Sequence, residues 1–500
     1  MSRKKDKLPI SQEAFLRNVA LQTRRHFLRK CSLGLGGMAL GGLLNSCGQD
    51  TAGMSAAQNL DRFLSPKSPH QAGKVKSGIY LHMAGAPSQL ELFDYKPLLH
   101  KLDGQSCPPS LLEDKQFAFI RGVPKILGPQ AEFKQRGESG AWVSDFMPNL
   151  ASIADELCFL KAVKTDQFNH APAQLLMQTG HARAGRPSMG AWVTYGLGSE
   201  NFNLPGFIVL TSGGSNPSAG KHVWSAGFLP TVYQGVHCRS KGAPILFLDN
   251  PDGMSRKLRE ASVDAINAIN EEAYETFGDP ETLTRIAQYE MAFNMQVEVP
   301  KVMDITKEPE SILELYGASP GEASFANNVL LARRLVENGV RFVQLFDWGW
   351  DAHGTEKGTA LDLGFKDKCR EIDRPITALI LDLKQRGLLE ETLIVWGGEF
   401  GRTPMAENRN GVNMPFKGRD HHPDAFTMWM AGGGLKKGYV HGETDEIGFH
   451  AVEGEVSVYD IQATILHLLG MNHEQLTYTF QGRDFRLTDV FGSVIQEILA

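Results

Sequence analysis

Short apolar runs alternating with longer helical patterns restrict the fold of this chain more than any other feature. Six runs read as strands, at residues 78–84, 206–211, 245–248, 340–346, 392–396 and 426–431. Most are apolar at every position rather than at alternate ones, as strands buried on both faces of a parallel sheet are. Between them, apolar residues at helical spacing predict helices over 256–277, 281–293, 323–338, 361–386 and 460–469, with Gly339 as a stop signal for the third. This order predicts an α/β fold, a largely parallel sheet sandwiched by helices. Ligands in such folds sit beyond the carboxyl ends of the strands.

The first fifty residues have a different character. Thr23-Arg24-Arg25-His26-Phe27-Leu28-Arg29 precedes a Gly-rich, modestly apolar run at 31–44, too short to span a bilayer. A basic block before a short apolar run reads as a twin-arginine export signal, which directs the protein to the periplasm or cell surface. Several glycines in that run argue against a buried helix. Leu44-Asn45-Ser46-Cys47 resembles a lipobox, although Asn45 is not the residue most often found there. Lipidation of Cys47, if it occurs, would tether the domain to a membrane surface. The expected organisation is a signal over 1–47, a polar linker over 48–75 and one domain over 76–500.

Residues 1–47 carry nine of the 51 Lys and Arg and two of the 57 Asp and Glu, which leaves 42 against 55 and a net charge of −13. That balance excludes nucleic acid as a partner, because phosphate backbones require a basic face. Beyond the signal, Cys107, Cys158, Cys238 and Cys369 form no CxxC pair. One or two bridges and free buried thiols both remain open.

Polar clusters follow several of the strand runs. Asp351 and His353 come after 340–346, Glu399 and Arg402 after 392–396, and Asp420-His421-His422 just before 426–431. Carboxylate and imidazole donors converging from separate segments suit Zn²⁺ or a similar divalent ion. Arg402 has the fork to hold an oxyanion, and Arg419 lies close by in sequence. The structural alternatives are that Asp351 caps a helix, His353 is a surface residue, and Glu399 pairs with Arg402 to hold a loop. In Asn169-His170-Ala171-Pro172-Ala173-Gln174, Asn169 can cap the helix that follows, where an anion could bind. Gly432-Gly433-Gly434 lacks the Lys/Ser/Thr pattern of a phosphate loop. Ser88 lacks the Gly-x-Ser-x-Gly elbow of a nucleophilic serine.

Ala86-Pro87-Ser88-Gln89 through Pro97, Asn169 to Ala173, Gly185-Arg186-Pro187-Ser188, Gly398 to Pro404 and Gly418 to Pro423, with the signal, resemble domain-of-unknown-function family 1501. These are exported bacterial proteins placed in the alkaline phosphatase and sulfatase superfamily. The resemblance implies an α/β/α sandwich with metal ligands and a nucleophile at strand ends. It places Asp351 and His353 where a trailing Asp and His bind metal, and Glu399 where an Asp does, with Phe400 in the place of the next ligand. Asp420, His421 or His422 would complete the set. His170 stands at the nucleophile position and Gln174 at that of an arginine, with Thr179-Gly180 at the matching distance. Cys107-Pro108-Pro109-Ser110 only superficially resembles the sulfatase motif, since Leu111 takes the place of its arginine. No aspartate directly follows the first strand, where Glu91 and Asp94 are the nearest carboxylates.

These residues lead to two expectations. One is an exported hydrolase of small-molecule or polysaccharide sulfate or phosphate esters, metal-dependent and not reliant on formylglycine. In it Asp351, His353, Glu399, Asp420, His421 and His422 supply ligands, His170 and Arg402 act in catalysis, and Asn169 and Arg419 bind substrate. The other is a non-catalytic surface binding protein on a retired enzyme scaffold.

Overall fold

The computed structural model describes residues 63–500 except 114, 240, 243, 246, 247 and 410. The paired arginines and Cys47 lie outside the described residues. A nine-stranded sheet forms the centre. Its strands, in chain order, are β1 (Ser77–Ala84), β2 (Cys158–Lys164), β3 (Phe207–Ser212), β4 (Val236–Cys238), β5 (Phe342–Trp348), β6 (Thr392–Gly397), β7 (Phe426–Gly432), β8 (Tyr439–His441) and β9 (Val456–Ser457). Across the sheet the order is β8-β2-β7-β6-β1-β5-β3-β4, with β9 also paired to β2. β7 runs antiparallel to both its neighbours and every other pairing is parallel.

The central strands are buried as their apolar sequences predict. All eight residues of β1 and all seven of β7 are buried. The Trp396 and Trp429 rings stack across β6 and β7 at 5.9 Å. Each fully buried Ile, Leu or Met side chain in such a layer stabilises the fold by about 1.5–3 kcal/mol. The flanking helices include α1 (His170–Thr179), α2 (Arg256–Phe277), α3 (Pro280–Met303), α4 (Phe325–Glu337), α5 (Gly364–Gln385) and α6 (Val458–Leu468). Their ends follow local rules. The Ser324 side chain caps α4, Ser457 and Asp460 form a capping box on α6, and left-handed Gly278 closes α2.

Three expectations change. Among the described residues the edge strand is Val236–Cys238, and the expected run 245–248 includes two residues outside those described. β2 was not foreseen, because Lys161 and Lys164 interrupt its apolar run. Residues 63–75 pack on the domain although their polarity suggested a linker: Leu64 is buried and the Lys74 and Val75 amides donate to the Leu468 carbonyl. The four described cysteines are free and buried. Among the described residues, no helix is long and apolar enough to cross a membrane.

The topology makes one edge of the sheet special. β2, β6, β1 and β5 all end there, and the reversed β7 begins there. The loops after β5 and β6, the start of α1 after β2, and the segment before β7 therefore meet at one place.

Candidate metal centre

Four side chains from three of those segments converge. One ligand atom each from His170, Asp351, His353 and His421 lies within 4.8 Å of the others. Asp351 Oδ1 is the hub. It lies 2.8 Å from His353 Nε2, 3.3 Å from His421 Nε2 and 3.2 Å from His170 Nε2. His353 Nε2 and His421 Nε2 are 3.1 Å apart.

The hydrogen bonds on the far sides of these rings fix their tautomers. His353 Nδ1 donates to the Glu407 carboxylate, His421 Nδ1 to the Phe168 carbonyl at 2.7 Å, and His170 Nδ1 to Glu399 Oε1 at 2.7 Å. Each ring thus turns Nε2 toward Asp351. A ligating histidine whose other nitrogen donates to a carboxylate or carbonyl has the arrangement that orients metal ligands. Three imidazole nitrogens and a carboxylate oxygen match the donor set of a four-coordinate divalent site. His170 Nε2 is buried and makes no well-aligned hydrogen bond, which leaves it able to serve as a metal ligand once deprotonated.

Electrostatics divide the histidines. Burial would lower the His170 pKa, but its contacts with Asp351 and Glu399 outweigh that and hold it at about 9. Burial pushes His421 down to about 4, helped by Arg402 and the charge of His170 against the pull of Asp351. Burial opposes ionisation of Asp351, yet Arg402 and the three imidazoles keep its carboxyl well below the usual range. Glu399 is also buried, and His170 and His82 hold it low.

The backbone that carries the site is tightly folded. Gly85, just after β1, has φ +112°, and a Cβ there would lie 2.6 Å from the Asp351 amide nitrogen. A Cβ on Gly418 would sit 2.0 Å from the His353 carbonyl carbon, so only glycine lets the two loops touch. Ala86 is held at φ 60°, and its carbonyl accepts from Arg402 Nε at 2.9 Å.

The other expected residues take different places. Glu399 stands behind His170, and also accepts from Gln174 Nε2 at 3.0 Å and from the Gly85 amide at 3.1 Å. Arg402 pairs with Asp351 at 2.6 Å rather than with Glu399. Asp420, with His353 and Glu407, forms a second group of close ligand atoms. Its oxygens, however, accept the amides of Phe119, Ile120 and His421, each at 2.8 Å. His422 turns away, donating to the Phe449 carbonyl at 2.5 Å and stacking on that ring at 4.5 Å. Arg419 is fully buried against Glu91, at 2.7 Å. Asn169 is the N-cap residue of α1, without a side-chain capping bond. Asp94 pairs with Lys96 at 3.2 Å.

Glu407 and the Phe168 carbonyl are parts of the site that sequence reasoning did not assign, and Gln174 enters it only as the residue standing where an arginine is expected. Gln174 alone left a signal, through its place in the motif beginning at Asn169.

The sheet edge and its cluster define an α/β protein with a candidate divalent-cation centre at its strand ends. The chain belongs to the family described as "Protein of unknown function (DUF1501)", which it matches over residues 75–499. No curated protein matches it. Among solved structures, it is similar to the PsFucS1 sulfatase from Pseudoalteromonas sp., with 13% identity over 84% of this chain and 71% of that one and a TM-score of 0.35. It is also similar to the alkaline phosphatase from the Antarctic bacterium TAB5, with 10% identity over 80% of this chain and 100% of that one and a TM-score of 0.32. A third is the phosphonate monoester hydrolase SpPMH from Silicibacter pomeroyi, with 11% identity, coverage of 80% and 73%, and a TM-score of 0.31. Likeness at this level assigns neither residues nor activity.

Proposed function

We propose that this protein is an exported, metal-dependent hydrolase of a sulfate or phosphate ester that works without formylglycine. The observation that supports it is the convergence of three imidazole Nε2 atoms on Asp351 Oδ1 at the sheet edge. His170, Asp351, His353 and His421 would hold the ion, with Glu399, Glu407 and the Phe168 carbonyl orienting the rings. Such an ion supplies Lewis acidity and a way to activate water at neutral pH. Arg402 keeps Asp351 ionised and aimed inward. A cavity of about 490 Å³, lined in part by Trp348, Asp351, His353 and Arg409, gives an ester room beside the cluster. In this reading His170 serves the ion rather than attacking the ester itself.

The substrate would be a small-molecule or polysaccharide ester, met outside the cytoplasm after export through the twin-arginine route, with Cys47 as the point of any membrane tether. Zn²⁺ or a similar ion fits the nitrogen-rich donor set. Metal analysis of the purified protein, followed by a panel of sulfate and phosphate esters, tests the proposal. Absence of both stoichiometric metal and turnover would sink it. A second reading, a non-catalytic binding protein, draws on Glu91 and Asp94, which are engaged with Arg419 and Lys96. It expects metal and ligand binding without turnover, and ligand binding that survives His170→Ala.

A further inference from the structure

Neither arginine that the sequence offers for an anion is free to bind one. Arg402 spends Nε on the Ala86 carbonyl, Nη1 on the Arg419 carbonyl, and Nη2 on the Gly85 carbonyl and Asp351. Arg419 is divided among Glu91 and the carbonyls of Leu127, Thr403 and Gly128. Both side chains are fully buried. A substrate anion would have to displace several of these bonds at once.

Arg409 is placed differently. Its side chain is 40% exposed and lines the 490 Å³ cavity together with Asp351 and His353. Nε donates to Glu407 Oε1 at 2.7 Å, and the guanidinium lies 4.3 Å over the Phe119 ring. Among the described residues, Nη1 and Nη2 have no hydrogen-bond partner. Glu407 is buried, and its other oxygen accepts from His353 Nδ1. One carboxylate therefore orients both a ring of the cluster and a guanidinium that lines the same cavity. Phe119 is itself fixed, edge-on to His353 at 4.8 Å and to His421 at 5.6 Å. A guanidinium held at Nε and stacked on one face keeps its outer fork pre-set for two oxygens of a tetrahedral anion. Glu356 lines the same cavity, and its charge opposes anion entry unless a cation offsets it.

We propose that Arg409 is the anion subsite of this centre, receiving the sulfuryl or phosphoryl oxygens of the substrate beside the four-residue cluster. The inference rests on the ester-hydrolase reading for the identity of the anion. It is tested with the full chain, zinc-loaded and metal-free, by calorimetric titration with inorganic phosphate and sulfate. Wild type, Arg409→Gln and Arg409→Lys are compared, with zinc affinity and thermal unfolding measured on each. We expect Arg409→Gln to weaken phosphate binding by about tenfold or more, as loss of a charge-assisted pair does. Zinc affinity should change by less than about threefold, and Arg409→Lys should recover part of the phosphate binding, because it restores charge without the fork. Equal phosphate affinity in Arg409→Gln overturns the proposal. So does a parallel loss of zinc affinity, which would make Arg409 a support for His353, and so does a wild type that binds neither anion. Lack of ester turnover in protein that takes up zinc counts against the hydrolase reading alone, since the Arg409 comparison reads anion binding and needs no turnover.

Discussion

His353 and His421 meet Nε2 to Nε2 at 3.1 Å, each with its Nδ1–H committed elsewhere, to Glu407 and to the Phe168 carbonyl. Two imidazole lone pairs at that distance repel unless a cation lies between or beside them. The purified protein is expected to take up a divalent ion, and His353→Ala or His421→Ala should each weaken uptake by roughly a hundredfold or more. His422→Ala should leave uptake unchanged, since His422 faces Phe449. Calorimetric zinc titration of the three variants checks this, and equal losses in all three would refute it.

Glu407 and Glu399 act one bond behind the ligands. Glu407→Gln and Glu399→Gln keep the shape but weaken the ring orientation, so zinc affinity should fall by about 10- to 100-fold in each. Competition against a zinc chelator reads the change. A negligible effect of both would mean that packing alone holds the rings.

In the metal-free protein His170 titrates at about 9, so it is protonated at pH 7. A divalent ion must displace that proton. Binding at pH 7 should therefore release about one proton from His170, and the release should fade as pH rises past about 9. Titrations in buffers of different ionisation enthalpy count the protons. Zero release at pH 7 would exclude His170 as a ligand.

His422 is buried and its pKa is lowered to about 4 by that burial. The folded value lies below the unfolded one of 6.5, so below that pH the unfolded chain binds the extra proton. The resulting stability is present above pH 6.5 and is lost as pH falls toward 4, by about 3 kcal/mol. Denaturant unfolding of metal-free protein between pH 7 and 4 should show the decline, and His422→Gln should reduce it while leaving the share due to His421, which burial also lowers to about 4.

Arg419 and Glu91 are both fully buried and bonded at 2.7 Å. Arg419→Ala leaves Glu91 charged and unpaired and should cost about 3–5 kcal/mol. Replacing both with leucine should cost less. Thermal unfolding of the single and double variants separates loss of the pair from loss of packing.

Much of the fold was legible because buried parallel strands are apolar on both faces. β1, β3, β5, β6 and β7 lie within two residues of the expected runs, and α2 matches its expected span. β2 escaped because its lysines break the pattern, with Lys161 reaching Asp94 at 3.7 Å. Within the site, Asp351, His353 and His421 stood out as unusual residues at strand ends. Glu407 did not, because a single glutamate in a polar loop carries no local signal.

The sequence by itself determined the α/β class, the strand ends at which polar residues would gather, and the identity of the residues able to bind a cation. Only the tertiary structure decided which of them meet. Adjacent residues such as His421 and His422 point to opposite sides of an extended segment, so one joins Asp351 and the other Phe449. The same holds for the arginines. Arg402 and Arg419 are tied by the Gly85 and Ala86 carbonyls and by Glu91, more than 300 residues away in sequence, whereas Arg409 is held by its near neighbour Glu407, and no local pattern records that difference.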